Sequence, residues 1–336
     1  MDSVLVIGGG ITGIQASLDL SQLGFTVTLL EKEETPGGKL KKLSKLFPKE
    51  ESAQELLSEK LSQIDDKKNI QIKTNSEIEK VERKSQGYHI VLKGEEKGLE
   101  VSAVVLATGF DPFDPTPIEE YGYGRLKDVI TAFELEEMLK KGRVIRPSDG
   151  GEPQKITFLQ CVGSRDRKTN RYCSYFCCTY AVKEALALKK LNPQTDIRIM
   201  YMDIRTPYLY EHLYTEAREK GIQFIRSRVS GISEKDGILA LDIENTVTGE
   251  TETLPSELVI LSIGGVPSAS TGKLADQFKV PLSDQGFFKL EEAPVKSVAE
   301  GIFIAGTAGG LKDIPSCLAE ASASAIGVTQ FLGERT

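Results

Sequence analysis

The chain has 336 residues, of which 40% are hydrophobic and 27% are charged, and its formal net charge is −7. This size and composition indicate a soluble globular protein with room for two domains, each with its own core. The acidic balance and the lack of a basic face argue against nucleic-acid binding. No apolar run approaches the roughly 20 residues of a membrane span, and the N-terminus shows no signal peptide. We therefore expect a cytoplasmic protein, where clustered cysteines favour metal or redox chemistry over structural disulfides.

The N-terminal residues predict a nucleotide-binding unit. In chain order it contains a strand over 3–7, the glycines Gly8, Gly10 and Gly13, a helix over 14–23, and a strand over 25–30. Glu31 closes the second strand. Glycines at this spacing let the backbone approach a pyrophosphate, the helix N-terminus supplies N–H donors, and the acidic residue holds a ribose hydroxyl. The unit therefore predicts a Rossmann-type dinucleotide site.

The remaining elements form two α/β regions separated by a proline-rich segment over 111–117, which indicates a linker. In chain order the sequence predicts a helix over 40–61, strands over 70–73, 77–81, 88–92, 99–101 and 104–106, a helix over 132–140, a strand over 156–160, a helix over 181–191, a strand over 197–201, a helix over 209–220, strands over 222–225, 238–244, 250–254, 258–263 and 301–306, and a helix over 315–332. This pattern predicts an α/β fold with two Rossmann-like domains. The predicted boundaries are 1–115 and 286–336 for a discontinuous first domain, 116–150 for a linker with a helix, and 151–285 for the second domain.

Three glycine-containing segments indicate which dinucleotide the first domain binds. They are Gly37-Gly38, the Ala-Thr-Gly strand end over 107–109, and the Ile-Ala-Gly strand end over 304–306. Their order resembles the flavoproteins with two dinucleotide-binding domains, of the thioredoxin-reductase type. The resemblance implies that the first domain binds FAD and that the last two segments complete the site. This sequence has Thr307 where that family usually has an aspartate, so a hydroxyl takes the place of the usual carboxylate near the ribityl chain.

The second domain lacks a second glycine fingerprint, and cysteines occupy its place. Its first strand leads directly into Cys161, and Cys173, Cys177 and Cys178 follow. Four thiolates are the ligand number of an iron–sulfur cluster or a closed zinc site, although the spacing matches neither a zinc knuckle nor a ferredoxin run. A redox dithiol is a further alternative. We do not expect NAD(P)H in its usual place, and we interpret Cys317 as a small buried hydrophobe.

Five segments resemble the A-type subunit of heterodisulfide reductase, and the resemblance covers nearly the whole chain. They lie over 142–150, 160–166, 172–178, 202–205 and 312–315. The resemblance implies that the four clustered cysteines hold a [4Fe–4S] cluster close to the FAD and that Lys183 contacts N5 of the flavin. Unlike the methanogenic subunits, this chain has no cysteine near 45–52 and no ferredoxin motif. In this respect it is similar to the compact A-type subunit of the heterodisulfide-reductase-like complexes of sulfur oxidisers.

The nucleotide loop and the two resemblances together give the residues expected to contact FAD. The segment over 312–315 opens the last helix, whose N–H groups and dipole can face the flavin pyrimidine. The expected contacts are Gly8, Gly10, Thr12, Gly13, Glu31, Lys32, Gly38, Lys39, Thr108, Gly109, Gly306, Thr307, Lys312, Asp313, Ile314 and Pro315.

Three functional hypotheses follow. In the first, the chain is an FAD- and [4Fe–4S]-containing electron-transfer subunit of a heterodisulfide-reductase-like complex in cytoplasmic sulfur oxidation. The resemblance implies a homodimer with B- and C-type partner subunits and a lipoate-bearing carrier protein. In the second, it is a stand-alone pyridine nucleotide–disulfide oxidoreductase whose Cys177 and Cys178 form the redox dithiol. In the third, it is a non-catalytic scaffold that retains FAD for stability.

Overall fold

The computed structural model describes residues 2–291 and 295–334, which form two compact units. Unit 1 contains the chain up to Lys41, Gln54–Asp111, and the chain from Val266 onward, whereas unit 2 contains Lys42–Ala53 and Pro112–Gly265. Residues 1, 292–294 and 335–336 of the predicted first domain lie outside the described residues. The predicted α/β class with two Rossmann-like domains is confirmed.

The strands and helices are numbered in chain order. The strands are β1 Ser3–Ile7, β2 Thr26–Leu30, β3 Ile70–Lys73, β4 Ile78–Lys84, β5 Gly87–Leu92, β6 Leu99–Val101, β7 Ala103–Leu106, β8 Phe110–Pro112, β9 Val129–Thr131, β10 Lys155–Val162, β11 Asp196–Tyr201, β12 Gln223–Lys235, β13 Ile238–Asn245, β14 Thr251–Ser256, β15 Leu258–Ile263, β16 Gly265–Pro267 and β17 Ile302–Ile304. The helices are α1 Ile11–Gln22, α2 Ala53–Asp65, α3 Ala132–Lys140, α4 Cys177–Leu191, α5 Glu211–Glu219, α6 Thr271–Phe278 and α7 Ile314–Gly333. In the described part of the chain, no helix is both long enough and apolar enough to span a membrane.

Unit 1 is built on a parallel five-stranded sheet in the order β17-β7-β1-β2-β3. Its strands β1, β7 and β17 are apolar runs apart from Ser3, as expected where both faces of a parallel sheet are covered. The register pairs Ile7 with both Leu30 and Leu106, and Leu106 with Ile304. Because these residues end their strands, the loops that follow them all leave the same edge of the sheet. A separate antiparallel sheet contains β4, β5 and β6.

Unit 2 contains a seven-stranded sheet in the order β14-β13-β12-β11-β10-β15-β9. The five strands from β12 to β9 are parallel, and β13 and β14 extend the sheet in antiparallel fashion. Alternate residues of β15 point to opposite faces: Leu258 and Ile260 pack in one apolar core, and Val259 and Leu261 pack in another. The sheet is therefore covered on both faces. Strand β10, the middle one of the five parallel strands, ends at the cysteine-bearing loop.

The structure corrects several predicted boundaries. The predicted helix over 40–61 is wrong in its first half: a 3₁₀ turn spans Gly38–Lys42, and α2 begins only at Ala53. Pro48 lies between the two, and proline interrupts a helix because it lacks an N–H donor. Helix α4 begins at Cys177 rather than at 181, so Cys177 and Cys178 are helical. The short helix α6 was not predicted; its Leu274 and Phe278 pack in the core of unit 1, which explains why the chain returns to that unit at Val266.

Candidate functional site

The loop after β1 has glycines where side chains would collide with backbone. Gly8 has a φ of 110°, and a Cβ atom there would lie 2.4 Å from the carbonyl oxygen of Ala107. A Cβ atom on Gly13 would lie 1.9 Å from the carbonyl oxygen of Gly8. These contacts bring the end of β7 and the first turn of α1 directly against the loop. Gly8 and Gly13 are therefore required by the close approach of backbone to backbone.

Gly10 differs from these two glycines because its surroundings are open. It is the N-cap residue of α1, with extended backbone angles and no side-chain cap, and a Cβ atom there would meet nothing within 4 Å. The first N–H groups of a helix lack partners inside the helix, and the helix dipole favours an anion at that position. An open approach to an uncapped helix N-terminus is the geometry that a pyrophosphate requires.

Glu31, at the end of β2, is buried, and its carboxylate already organises the loop. One oxygen accepts from the backbone N–H of Gly9 at 2.8 Å, and the other accepts from that of Glu33 at 2.9 Å. A carboxylate oxygen has more than one acceptor site, so these bonds are compatible with the predicted contact to a ribose hydroxyl. The neighbouring Lys32 is exposed.

The Gly37-Gly38 pair packs on the nucleotide loop. The N–H of Gly37 donates to the carbonyl of Gly9 at 2.7 Å, and a Cβ atom on Gly38 would lie 3.1 Å from the Cα of Gly10. The following Lys39 places its Nζ 4.7 Å from the centroid of the Phe110 ring. The structure thus brings Gly38 against the loop, as expected for a residue that borders the ligand.

The Ala-Thr-Gly strand end and the last strand meet at the same edge of the sheet. The Thr108 hydroxyl is buried and has no hydrogen-bond partner among the described residues. A Cβ atom on Gly109 would lie 3.9 Å from the hydroxyl oxygen of Thr307, and one on Gly306 would lie 2.3 Å from that of Thr12. These candidate residues are therefore close neighbours, and the orphaned Thr108 hydroxyl fits a ligand that supplies its missing partner.

The start of α7 is connected to the segment over 306–312 through Glu320, which was not among the predicted residues. Asp313 caps the helix by accepting from the N–H of Ser316 at 2.9 Å, while Ile314 and Pro315 occupy its first turn. Lys312 donates to the carboxylate of Glu320 at 2.6 Å, and Glu320 also accepts from the N–H of Gly306 at 2.9 Å. Glu320 therefore joins two predicted flavin-contacting segments. No motif signals it, because the two segments meet only in the folded chain.

Three of the four clustered cysteines of unit 2 have interacting thiols. Cys161 lies at the end of β10, and Cys177 and Cys178 lie in the first turn of α4. The Cys177 thiol interacts with both Cys161 and Cys178, and all three are buried. Cys173 lies apart from this chain of contacts and accepts from the N–H of Tyr175 at 3.3 Å. Among the described residues, no three His, Cys, Asp or Glu side chains are arranged as a ready metal site.

The contacts among the three thiols shift the pKa values of the cysteines in different directions. The interaction with Cys177, helped by the positive charge of Arg165, lowers the pKa of Cys161 to about 7. The same kind of interaction lowers the pKa of Cys178. Cys177 donates to both of the other thiols, and this raises its pKa well above the usual value. Burial raises the pKa of Cys177 further. The N-terminus of α4 also favours thiolates by its dipole. By contrast, burial raises the pKa of Cys317 to about 11.

The backbone of the cysteine loop is held in unusual conformations. Cys161, Arg165 and Tyr175 have positive φ values of 62°, 57° and 66°. Such left-handed residues are costly outside glycine and cluster at functional sites. Arg165, which the sequence analysis did not select, pairs with Asp203 at 2.6 Å, and the Cys178 thiol donates to the backbone carbonyl of Asp203 at 3.6 Å. These contacts tie the loop to the end of β11.

Lys183, predicted to contact the flavin, is engaged within unit 2. Its ammonium pairs with the carboxylate of Glu136 and donates to the carbonyl of Lys45 at 2.9 Å. Both charged side chains are buried. The sequence analysis missed Glu136, although it shares a helical face with the buried Ala132 and Leu135, and that spacing is a usable signal.

The two Rossmann-like domains give the chain a fold of the thioredoxin-reductase type. A family model described as pyridine nucleotide-disulphide oxidoreductase matches residues 2–146. Thioredoxin reductase of T. acidophilum superposes with a TM-score of 0.69, 16% identity and full coverage of both chains. The Lactococcus lactis enzyme superposes with a TM-score of 0.70 and 18% identity, over 99% of this chain and 100% of that one. The family match and the fold indicate that the chain binds FAD.

The chain is similar in sequence to the A-type subunits of heterodisulfide reductases, which confirms the resemblance seen in the sequence. It is 34% identical to the iron-sulfur A-type subunit of the CoB–CoM heterodisulfide reductase of Methanocaldococcus jannaschii, over 99% of this chain and 65% of the relative. It is 32% identical, with the same coverages, to the A-type subunit of the H(2)/formate:CoB-CoM heterodisulfide,ferredoxin reductase of Methanococcus maripaludis. The chain thus spans less than two thirds of these relatives. Each alignment runs over 425 residues, more than the chain contains, so the relatives carry internal segments without a counterpart here.

Proposed function

We propose that the chain is an electron-transfer subunit that holds FAD in unit 1 and a [4Fe–4S] cluster at the cysteine loop of unit 2. The observation that carries the proposal is the contact of the thiols of Cys161, Cys177 and Cys178 at the end of β10. Parallel α/β sheets bind their ligands at this carboxyl edge. In unit 2 that edge presents sulfur ligands instead of a glycine-rich loop.

The donor set fits an iron–sulfur cluster. Thiolates are the ligands of such clusters, and Cys161 and Cys178 are the two thiols whose pKa values are lowered. Cys173 lies four residues before Cys177 in the same loop and would supply the fourth ligand. The left-handed backbone at Cys161 and Tyr175 orients the chain on either side of these ligands. A zinc site with the same four thiolates is the competing metal assignment, and metal analysis separates the two.

The residues around the nucleotide loop would hold FAD. Gly10 leaves room at the N-terminus of α1 for the pyrophosphate, and Glu31 would accept from the ribose. The Thr108 hydroxyl would gain the partner it lacks, and Thr307 would replace the usual carboxylate near the ribityl chain. When bound, FAD supplies exchange of one or two electrons and the cluster supplies exchange of single electrons. From the heterodisulfide reductase resemblance we also propose a flavin N5 contact for Lys183, whose ammonium would then leave or share its pairing with Glu136.

The relatives support membership in a larger complex. Their names describe one subunit of a heterodisulfide reductase that has further subunits. We propose a homodimer with B- and C-type partner subunits and a lipoate-bearing carrier, acting in sulfur oxidation. What supports the sulfur-oxidation assignment is the lack of a cysteine near 45–52, where the methanogenic subunits carry extra cysteines.

The test is an iron, acid-labile sulfide and FAD analysis of anaerobically purified protein. We expect FAD and about four irons and four sulfides per chain. Cys177→Ala should lose the iron and keep the FAD, whereas the matched variant Cys317→Ala should keep both, because Cys317 lies in α7 of unit 1. FAD without iron after anaerobic reconstitution would refute the cluster, and zinc in place of iron would refute its identity.

A second function is favoured by the contact between the adjacent thiols Cys177 and Cys178. In its oxidised, disulfide form such a pair would accept two electrons from NADPH by way of FAD and become a dithiol, leaving NADP⁺. The dithiol would then reduce a substrate disulfide to two thiols and return to the disulfide form. Steady NADPH oxidation that depends on a disulfide substrate and is lost in Cys178→Ser would support this enzyme. Absence of turnover in an iron-containing preparation would favour the electron-transfer subunit.

A further inference from the structure

A second polar site in unit 2 lies beside the cysteine loop. It is a cavity of about 330 Å³ formed by the residues that follow β11, by the first half of β12 and by the end of β13, a volume at the lower end of those that hold small ligands. The residues that line it are Arg165, Met202, Asp203, Arg226, Ser227, Arg228, Glu244 and Thr246. Three of its eight lining side chains are arginines, which is unusual for a cavity that serves only packing.

Positive charge exceeds negative charge in this cavity. Asp203 is one of two carboxylates in the lining, and it is already paired with Arg165 at 2.6 Å and lies 3.8 Å from Arg205. Arg226 uses its Nε atom to donate to the carbonyl of Met202 at 3.1 Å, so its other guanidinium nitrogens can face the cavity. Arg165 and Arg205 therefore already balance the negative charge of Asp203, and the positive charges of Arg226 and Arg228 are additional.

Arg228 is the side chain without an assigned role. In the described part of the chain its guanidinium makes no hydrogen bond or ion pair, although Glu244 lies opposite it in the β12–β13 register. An arginine presents several N–H donors in a fixed fork that matches the geometry of oxyanions. Arg226 and Arg228 lie two residues apart in β12, so their side chains emerge on the same face of the strand.

We propose that this cavity binds the oxyanion group of a small ligand, such as a phosphate, with Arg228 and Arg226 as its principal donors. The chemistry is common to a free inorganic oxyanion and to a phosphate ester, and the cavity volume admits either. Arg165 links the cavity to the cysteine loop, because it contacts both Asp203 and the Cys161 thiol. The proposal does not require that FAD or the cluster is bound.

The test is calorimetric titration of the full-length holoprotein, in phosphate-free buffer of low ionic strength, with inorganic phosphate and with AMP. We expect saturable binding of at least one probe, weakened by added sodium chloride. Arg228→Gln should weaken it by about tenfold or more, since a charge-assisted bond is lost. Arg143→Gln is the matched control: it removes one charge of unit 2 from an exposed side chain that pairs with Glu152, away from the cavity.

The outcomes separate the ligand sources and can overturn the proposal. Tighter binding of phosphate indicates a free oxyanion, and tighter binding of AMP indicates an ester. No binding of either probe at about 10 mM, a concentration well above a millimolar dissociation constant, would overturn the site. Equal affinity in Arg228→Gln and Arg143→Gln would also overturn it. Because Arg228 is exposed, an unchanged circular dichroism spectrum checks that the variant is folded.

Discussion

Lys183 on α4 and Glu136 on α3 form an ion pair whose side chains are only 7% and 2% exposed. Each partner makes a second bond to the same short segment: Glu136 accepts from the N–H of Ser44 at 2.7 Å, and Lys183 donates to the carbonyl of Lys45 at 2.9 Å. The pair therefore fastens the segment 42–53 to two helices of unit 2. This segment is irregular, so these bonds replace the helical bonds that its backbone lacks.

Glu136→Gln should destabilise unit 2, because it leaves the Lys183 ammonium buried with the Lys45 carbonyl as its remaining bonded partner. Breaking a buried pair from one side costs about 3 kcal/mol or more. The measurement is urea unfolding followed by far-UV circular dichroism, since the chain contains no tryptophan. Glu137→Gln is the control: its side chain is 47% exposed and pairs with Lys140 at 3.6 Å, so it should change stability by less than about 0.5 kcal/mol. Equal effects in the two variants would contradict the role of the pair.

Because Glu184, the next residue on α4, is a buried carboxyl group, we expect the stability of the protein to depend on pH. Burial, followed by repulsion from Glu136, raises its pKa well above the usual value. Above the pKa of an unfolded glutamate, the native chain keeps a proton that the unfolded chain has released. Stability is then lost as pH rises towards the folded pKa, because the native state binds more protons.

Glu184→Gln removes this titration while keeping the shape of the side chain. Relative to the unmodified protein, its unfolding free energy should therefore increase with pH above about pH 5, by up to about 1.4 kcal/mol per pH unit. Urea unfolding at a series of pH values measures the difference. Parallel stability profiles for the two proteins would show that Glu184 is ionised in the native state.

Most of the fold follows from sequence patterns that depend on near neighbours. The apolar runs of β1, β7 and β15 are each long enough to predict a buried strand, and the glycines after β1 predict its turn. The predictions fail where tertiary contacts decide the structure. The stretch over 40–52 has helical composition, yet it is irregular in the structure and bonded to Glu136 and Lys183. No periodicity in that stretch reveals such partners.

The residues of the candidate sites also fall into two groups: those that sequence spacing predicts and those that only tertiary contacts reveal. Gly8, Gly13 and Glu31 could be selected from spacing, because the chemistry of the nucleotide loop is contained in one strand–helix–strand unit. Glu320 could not, since its partners Gly306 and Lys312 lie in the segment before α7 and approach it only in the folded chain. The cysteine spacing predicts a thiolate site, whereas the central position of Cys177 between two thiols emerges only from the structure.

Glu320→Ala should loosen the segment over 306–312 and weaken FAD binding. The variant removes the acceptor of the Gly306 N–H and the ion-pair partner of Lys312, in a partly buried setting where both bonds contribute. We expect a loss of stability of about 1–2 kcal/mol and a larger FAD dissociation constant, measured by titrating the apoprotein with FAD. Glu320→Gln can keep the bond to Gly306, and it should recover most of the affinity. If alanine and glutamine bind FAD equally, the backbone bond to Gly306 is irrelevant to the site.

Substitution by alanine should have different effects at Gly10 and at Gly13. Gly13→Ala should destabilise the apoprotein and FAD-bound protein alike, because its Cβ atom would lie 1.9 Å from the carbonyl oxygen of Gly8. Gly10→Ala should leave the apoprotein as stable as before, since the backbone there is extended and the space is open. Its methyl group would then occupy the approach to the helix N-terminus, so FAD affinity should fall by about tenfold or more.

Thermal unfolding of apoproteins and FAD titration separate the two effects. An unchanged melting temperature with weakened FAD binding in Gly10→Ala would place the pyrophosphate at this residue. Full FAD affinity in a folded Gly10→Ala variant would show that the open space beside Gly10 is not used by the ligand. Gly9 offers no such test, because a Cβ atom there would lie 2.8 Å from a carboxylate oxygen of Glu31 and would disturb the loop itself.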